Sequence, residues 1–251
     1  VRFVPVFSNL LYLLALIPLY HALNRDIRQM LLAGWIFIAG NWIGQDYFSP
    51  QATVYLFYLL LLGLCLTVLS SRPFWDWAPA PEWRRINFFL AFLAKDEIPG
   101  GKPPSPGLRV AATLAAFLLV LAVTASHQLT PIMIILSLSA LTVIGRLNPI
   151  FVIFSGLAVV SWLFYMATPF VASNLASELS VFGQGLVEAS ERLVDPSVVS
   201  EGMYWVVIAG RVTTMSIGLL AVLGGLRRLI NGHLDIRAAV LTLAPLPLFV
   251  N

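Results

Sequence analysis

Charged residues are scarce in this sequence. Asp, Glu, Lys and Arg make up 11% of its 251 residues, whereas 59% are apolar. Soluble domains carry roughly 25% charged residues, which they need to cover their surface. The composition therefore excludes an ordinary soluble domain and predicts a membrane protein.

Cysteine is almost absent, and the motifs of several enzyme classes are missing. Cys65, the only cysteine, lies in an apolar run, where a buried and unreactive thiol is expected. The sequence has no Walker loop, no Rossmann fingerprint, no paired Cys or His at metal-ligand spacing and no Gly-x-Ser-x-Gly elbow. ATP-driven work and zinc chemistry are therefore not expected. No cofactor is predicted, and a requirement for a divalent metal is left open.

Nucleic-acid binding is not expected either. The pI of about 9.2 reflects Lys and Arg in the loops. A basic surface interleaved with aromatic residues, of the kind that binds nucleic acid, is not recognisable in the sequence.

Long apolar runs are what the sequence has in abundance. A helix needs about 20 mostly apolar residues to cross a bilayer, and seven runs approach this length while an eighth is incomplete. They cover residues 3–23, 30–44, 52–70, 110–125, 132–145, 150–168 and 204–225, and then 238–251. We predict an all-α fold, a single transmembrane domain of about seven to eight spanning helices over residues 1–251. Because the chain begins with Val1 and stops inside an apolar run, we expect a fragment of a longer polytopic protein.

Two pairs of runs, within 30–70 and 110–145, are interrupted only by short polar motifs. Each joint contains a proline and a titratable residue. An unpaired Asp in hydrocarbon costs a few kcal/mol on insertion scales, and a turn at the membrane surface avoids that cost. Each pair is therefore predicted to form a helical hairpin.

The basic residues sort the connections between the runs into two sets. Twelve of the 15 Lys and Arg residues lie in the odd-numbered connections, which cover residues 24–29, 71–109, 146–149 and 226–237. One lies in the even-numbered connections, which cover residues 45–51, 126–131 and 169–203. By the positive-inside rule, the odd connections are cytoplasmic and the even ones face outward. The sequence thus predicts a cytoplasmic linker at about 71–109 and an extracytoplasmic acidic loop at about 169–203.

Two outward turns, "QDYFSPQ" and "SHQLTP", concentrate polar side chains at the ends of hairpins. Helix capping accounts for the prolines and for Ser49 and Thr130, which are plausible N-caps. It does not account for the other polar groups, which are able to hydrogen-bond or titrate. These are Gln45, Asp46, Tyr47, Gln51, His127 and Gln128. The alternative is that these groups only satisfy the hairpin backbone.

Arg211 lies inside a predicted span, seven residues after Tyr204 and so about 10 Å into the membrane from the outer side. A charge at that depth is costly unless it is paired, and it is a functional hypothesis by default. One reading is a structural ion pair with Asp46 or with an acid of the outward loop. The other is a guanidinium that binds a phosphate group of a substrate arriving through the lipid, since its planar fork bonds two oxygens.

Several of these motifs resemble a known family. The stretch "NWIGQDYFSPQATVYLFYL", then "SHQLTP", Arg211 and "GGLRRLINGHLD", is similar to large actinobacterial polytopic membrane proteins of the GT-C glycosyltransferase type. The resemblance implies a GT-C-like helix arrangement in a bacterial plasma membrane. It also implies transfer of a sugar from a polyprenyl-phosphate donor to an acceptor on the extracytoplasmic face.

The resemblance also implies roles for the polar residues. Asp46 and His127 would be catalytic, with Asp46, or a carboxylate upstream of Val1, as the general base. Arg211 would bind the donor phosphate and stabilise the leaving group. The remaining substrate-binding candidates are Gln45, Tyr47, Gln51 and Gln128. The implied partners are the polyprenyl-phosphate-linked sugar and membrane lipid.

Two other classes of function remain open. In a transporter or flippase of lipid-linked or small polar substrates, the polar turns and Arg211 would line a permeation path. Such proteins usually carry broken helices near the midplane and internal repeats. Here the polar groups gather on one side of the predicted membrane, and no repeat is recognisable. In a non-catalytic membrane assembly protein, the hairpin turns would only pack against the acidic loop.

Overall fold

The computed structural model describes residues 3–40, 50–70, 103–127, 129–168, 201–231 and 235–244. These residues form eight α-helices and no strand, which confirms the predicted all-α class. The helices are α1 (Val4–Leu23), α2 (Ile27–Gly40), α3 (Pro50–Thr67), α4 (Pro106–Ser126), α5 (Thr130–Val143), α6 (Ile150–Tyr165), α7 (Glu201–Ile230) and α8 (Ile236–Leu243). Most of the predicted cytoplasmic linker and acidic loop lies outside the described residues.

Four helices are long and apolar enough to cross a membrane: α1, α3, α4 and the part of α7 from Tyr204 to Ile230. Helices α2, α5 and α6 are apolar but have only 14 to 16 residues. A helix of 14 residues is about 21 Å long, whereas the hydrocarbon core is about 30 Å thick. The described residues thus contain four helices that meet the length criterion, fewer than the seven to eight spans predicted.

The helices expose apolar side chains and bury polar ones. Leu118 on α4 and Leu220 on α7 are 67% and 65% exposed, while the hydroxyl-bearing Ser137 and Ser155 are fully buried. In water, such an apolar exterior would be costly. The arrangement fits helices whose outer surface faces lipid, and it supports the prediction of a membrane protein.

Helix α3 lies at the centre of the bundle and packs against α1, α4 and α5. It is apolar on all sides, as expected for a helix surrounded by other helices. Two buried hydrogen bonds satisfy tyrosines in this core: Tyr12 Oη donates to Ala52 O at 2.9 Å, and the hydroxyls of Tyr58 and Ser137 are 2.8 Å apart. These bonds let polar rings occupy an apolar interior without an unpaired hydroxyl.

Contacts fix the relative direction of α1 and α3. Tyr12, in the first half of α1, bonds Ala52 near the start of α3, while Pro18 near the end of α1 lies beside Gly63 near the end of α3. The two helices therefore run parallel, as the alternating order of spans predicts. The start of α3 and the turn that follows α1 lie at opposite ends of the bundle.

Candidate functional site

A cavity of about 440 Å³ lies between α1, α2, α3 and α7. It is lined by Tyr20, Ala33, Ile36, Phe37, Gly40, Tyr55 and Ile217. Cavities that hold small organic molecules occupy about 300–1,000 Å³ and are mostly apolar with a few polar groups. This cavity is open to the surface of the bundle, and its volume and mostly apolar lining fall within that range.

Aromatic rings form one wall of the cavity. The rings of Phe37 and Tyr55 stack with their centroids 6.5 Å apart, and Tyr12 meets Tyr55 edge-on at 5.3 Å. These contacts hold the ring of Tyr55 against the core. Tyr20 and Tyr55 are the lining residues whose side chains carry a polar group, and the Tyr20 hydroxyl donates to Ala33 O at 3.5 Å.

The cavity lies close in sequence to two of the predicted site residues. Gln51 is exposed and lies one helical turn before Tyr55, on the same face of α3. Arg211 is half-buried and lies six residues before Ile217, about 9 Å away along the axis of α7. The structure therefore brings Gln51 and Arg211 to helices that line the same cavity.

Glycine at position 40 permits the contact between α2 and α7. A Cβ atom at Gly40 would lie 3.2 Å from Cδ1 of Ile217, which is tighter than most Cβ contacts. A larger residue at this position would therefore displace the Ile217 side chain. Residues 41–49 follow directly, and Gln45, Asp46 and Tyr47 within them lie outside the described residues. Asp46, the predicted catalytic carboxylate, thus follows Gly40, a lining residue of the cavity, by six positions in the sequence.

His127 occupies a different place, in the short turn between α4 and α5. Its Nδ1 atom accepts hydrogen bonds from the backbone N–H groups of Leu129 and Thr130, both at 3.2 Å, and lies 3.0 Å from Thr130 Oγ1. The imidazole therefore caps the start of α5. The expectation that Thr130 is the N-cap is wrong, because Leu129 is the N-cap and Thr130 is the first residue of the helix.

The capping bonds determine which nitrogen of His127 carries the proton. Nδ1 accepts two backbone N–H groups, so in the neutral ring the proton resides on Nε2. The lone pair of Nδ1 is engaged in the cap, and Nε2 is the atom able to donate a hydrogen bond to another group. This geometry suits the role of orienting a substrate better than that of accepting a proton. Gln128 lies outside the described residues.

Two substitutions of His127 test whether its imidazole caps α5. His127→Ala is expected to lower the free energy of unfolding by about 1 kcal/mol, the usual cost of losing a cap. His127→Asn is expected to retain most of that stability, because its amide oxygen is able to accept the same N–H groups. Thermal unfolding of the three proteins in detergent is the measurement. Equal destabilisation by both variants would contradict a capping role.

Comparison of the chain with models of known protein families, with curated proteins and with solved structures gave no match. The resemblance to GT-C glycosyltransferases therefore stays a prediction from the motifs of this chain.

A buried ion pair at the start of α8 has no counterpart in the sequence-based prediction. Arg237 donates from Nε to Asp235 Oδ1 at 3.1 Å and from Nη2 to Asp235 Oδ2 at 2.7 Å, and both residues are 6% exposed. Arg237 Nη2 also donates to Ala22 O, at 3.0 Å, in the last turn of α1. The signal that could have located Asp235 is an aspartate directly before an apolar helical run, a common N-cap pattern.

This contact brings together two of the connections rich in arginine. Ala22 precedes the α1–α2 turn, and Arg237 follows the α7–α8 connection, so both connections lie at one end of the bundle. The partition of basic residues predicted this for 24–29 and 226–237. Within the described residues, no three His, Cys, Asp or Glu side chains come together in a way that would hold a metal ion.

Proposed function

We propose that the protein is a multi-pass membrane glycosyltransferase of the GT-C type in a bacterial plasma membrane. It would transfer a sugar from a polyprenyl-phosphate donor to an acceptor on the extracytoplasmic face. The observation that carries the proposal is the 440 Å³ cavity with its aromatic wall, whose helices also carry Arg211 and Gln51. A lipid-phosphate donor needs an apolar cavity for its chain and a cation for its phosphate.

The proposed reaction displaces the donor phosphate. The hydroxyl of the acceptor attacks the anomeric carbon of the sugar, the bond between that carbon and the phosphate oxygen breaks, and polyprenyl phosphate leaves. Asp46 takes the proton of the hydroxyl. Arg211 balances the charge that develops on the leaving phosphate. Gln51 orients the sugar or the phosphate, together with Gln45, Tyr47 and Gln128. His127 is not a lining residue of the cavity, and its Nε2 would bind the same substrate from the α4–α5 turn.

The direct test is transfer of a labelled sugar. The full-length protein, reconstituted in vesicles, is supplied with a panel of radiolabelled sugars on a polyprenyl-phosphate carrier and with envelope acceptors. Donor-dependent labelling of an acceptor is the expected result, and the Asp46→Asn variant prepared in parallel is expected to label less. The sequence leaves the identities of the sugar and the acceptor open, so the panel has to cover several of each.

The same vesicles discriminate the other functions. The vesicles could take up a small polar substrate or scramble a lipid without donor, and show no transfer from any donor. That result would indicate a transporter or flippase instead of an enzyme. Absence of sugar transfer, of uptake and of lipid scrambling in a correctly folded preparation would favour an assembly protein.

A further inference from the structure

The hydroxyl of Tyr55 is a polar group of the cavity that the protein leaves unpaired. Tyr55 is half-buried and lines the cavity between α1, α2, α3 and α7. Within the part of the chain that the structure describes, no residue forms a hydrogen bond with this hydroxyl. The hydroxyls of the three nearby tyrosines each form one with a described residue, and they belong to Tyr12, Tyr20 and Tyr58. A ligand in the cavity is therefore the group that could pair the Tyr55 hydroxyl.

Three aromatic contacts hold the ring of Tyr55 in place. Its centroid lies 6.5 Å from that of Phe37 and 6.4 Å from that of Tyr58, and both pairs of rings are stacked. The ring of Tyr12 meets it edge-on, at 5.3 Å. Stacked and edge-on pairs are the arrangements that aromatic rings prefer. A ligand would thus bond a hydroxyl whose orientation is already fixed, which favours binding.

The hydroxyl lies near the end of the bundle where α3 begins. Tyr55 comes five residues after Pro50, the first residue of α3, which is about 7 Å along the helix axis. Side chains of a helix lean toward its first residue, so the hydroxyl lies closer to that end than the Cα atom does. Helix α3 is long and apolar enough to cross a membrane. The hydroxyl is therefore close to the boundary of a predicted span, where lipid phosphates are found.

A phosphate oxygen is the ligand atom that suits this hydroxyl best. A charged phosphate is costly to bring into an apolar cavity unless hydrogen-bond donors reach it. A hydrogen bond from a hydroxyl to a charged oxygen is roughly twice as strong as one between neutral groups. Tyr20 is the other lining residue with a hydroxyl, and it already donates to Ala33 O. Tyr55 therefore supplies the side-chain donor that the lining has available.

We propose that Tyr55 is a substrate-binding residue whose hydroxyl donates a hydrogen bond to a phosphate oxygen of a lipid phosphate. This assignment rests on the proposed function, in which the donor is a sugar on polyprenyl phosphate. The apolar chain lies along the cavity wall, to which Ile36 and Ile217 contribute. Since the phosphate stays on the lipid after transfer, Tyr55 binds both the donor and the polyprenyl phosphate that leaves.

Binding of farnesyl phosphate, a short polyprenyl phosphate, to the full chain in a neutral detergent tests the assignment. Native mass spectrometry gives the dissociation constant, and farnesol is the matched ligand without a phosphate. Tyr55→Phe removes the hydroxyl and keeps the ring. It is expected to weaken binding of farnesyl phosphate about 10- to 100-fold, the usual effect of losing a hydrogen bond to a charged group. Binding of farnesol is expected to stay nearly the same.

Two matched variants remove a hydroxyl elsewhere. Tyr58→Phe breaks the buried bond to Ser137, and Tyr58 is not a lining residue of the cavity. It is expected to accelerate labelling of the buried Cys65 thiol in mild denaturant and to leave ligand binding unchanged. Tyr55→Phe is expected to show the reverse, because it breaks no hydrogen bond of the described structure. Tyr20→Phe, in the same cavity, is expected to lose less affinity for farnesyl phosphate than Tyr55→Phe.

Several results would overturn the assignment. Farnesyl phosphate could fail to bind the wild type, or it could bind the wild type and Tyr55→Phe equally well. Tyr55→Phe could weaken farnesol as much as farnesyl phosphate, which would show that the hydroxyl does not act on the phosphate. Equal losses in Tyr55→Phe and Tyr20→Phe would indicate a general effect of cavity polarity. Accelerated labelling of Cys65 in Tyr55→Phe would show that the hydroxyl stabilises the fold instead.

The binding assay is separate from sugar transfer, so it distinguishes failure of this assignment from failure of the proposed function. Binding that depends on Tyr55, with no transfer from any donor, would reject the transferase and keep the lipid-phosphate site. Transfer of sugar, with binding that does not depend on Tyr55, would reject the role of Tyr55 and keep the transferase.

Discussion

Replacing Asp235 by alanine is expected to lower the free energy of unfolding by about 3–5 kcal/mol, the usual cost of breaking a buried ion pair from one side. The variant leaves the guanidinium of Arg237 buried with its carboxylate partner removed. It also removes the N-cap of α8, since Asp235 Oδ1 accepts the backbone N–H of Arg237 at 2.9 Å.

Cys65 provides the measurement. It is the only cysteine of the chain, and it is 1% exposed in the core of α3. The rate at which a maleimide labels it in mild denaturant reports how often the core opens. Asp235→Ala is expected to accelerate labelling at least 100-fold, which corresponds to about 3 kcal/mol at roughly 1.4 kcal/mol per factor of ten.

Two controls separate charge from capping. Asp235→Asn keeps an N-cap oxygen but removes the negative charge, so it should remain well below wild-type stability. The double variant Asp235→Ala/Arg237→Leu removes both charges, and it should recover to within about 2 kcal/mol of the wild type, since an ion pair replaced by apolar groups is often nearly neutral. If the double variant were as unstable as Asp235→Ala, an unpaired buried charge would not be the cause.

The apolar runs in the sequence predicted where the helices lie but missed their polar ends. The run at 110–125 belongs to a helix that begins four residues earlier, at Pro106, where Ser105 caps the first turn by accepting a backbone N–H. The run at 204–225 belongs to a helix that continues to Ile230. Hydropathy does not detect such ends, because caps and terminal turns are built from polar residues.

The relative placement of the connections was predictable from charge. The partition of arginines put 24–29 and 226–237 on one side, and the bond between Arg237 and Ala22 places both at one end of the bundle. The signal is strong because it sums over many residues and needs no knowledge of contacts. The bond itself was not predictable, since its partners are 215 residues apart and one of them is a backbone carbonyl.

The role of His127 could not be derived from its residue type. An imidazole nitrogen that caps a helix and one that accepts a proton from a substrate use the same lone pair. Only the positions of the Leu129 and Thr130 amides show that this lone pair is already engaged. The cavity could not be predicted either, because nothing in the sequence distinguishes Tyr20, Phe37 and Tyr55 from the other members of the apolar runs.

Replacing Arg211 by glutamine is expected to lower the rate of sugar transfer about 100- to 1,000-fold, the usual effect of removing a group that stabilises charge in a transition state. In the proposed reaction, negative charge accumulates on the phosphate as it leaves, and Arg211 is the cation predicted to face it. Arg211→Lys keeps the charge but loses the planar fork. Its transfer rate is expected to fall between those of the wild type and Arg211→Gln.

A structural ion pair, the other role considered for Arg211, makes a different prediction for the same variants. If Arg211 only holds α7 in place, Arg211→Gln should accelerate labelling of Cys65, and transfer should fall in proportion to the folded fraction. If it binds donor phosphate, labelling of Cys65 should stay within a few-fold of wild type while kcat falls. Arg109→Gln, in the first turn of α4, controls for the loss of one positive charge elsewhere. Unchanged transfer by Arg211→Gln in folded protein would remove Arg211 from the site, and the cavity beside Ile217 would then have to bind its ligand without that guanidinium.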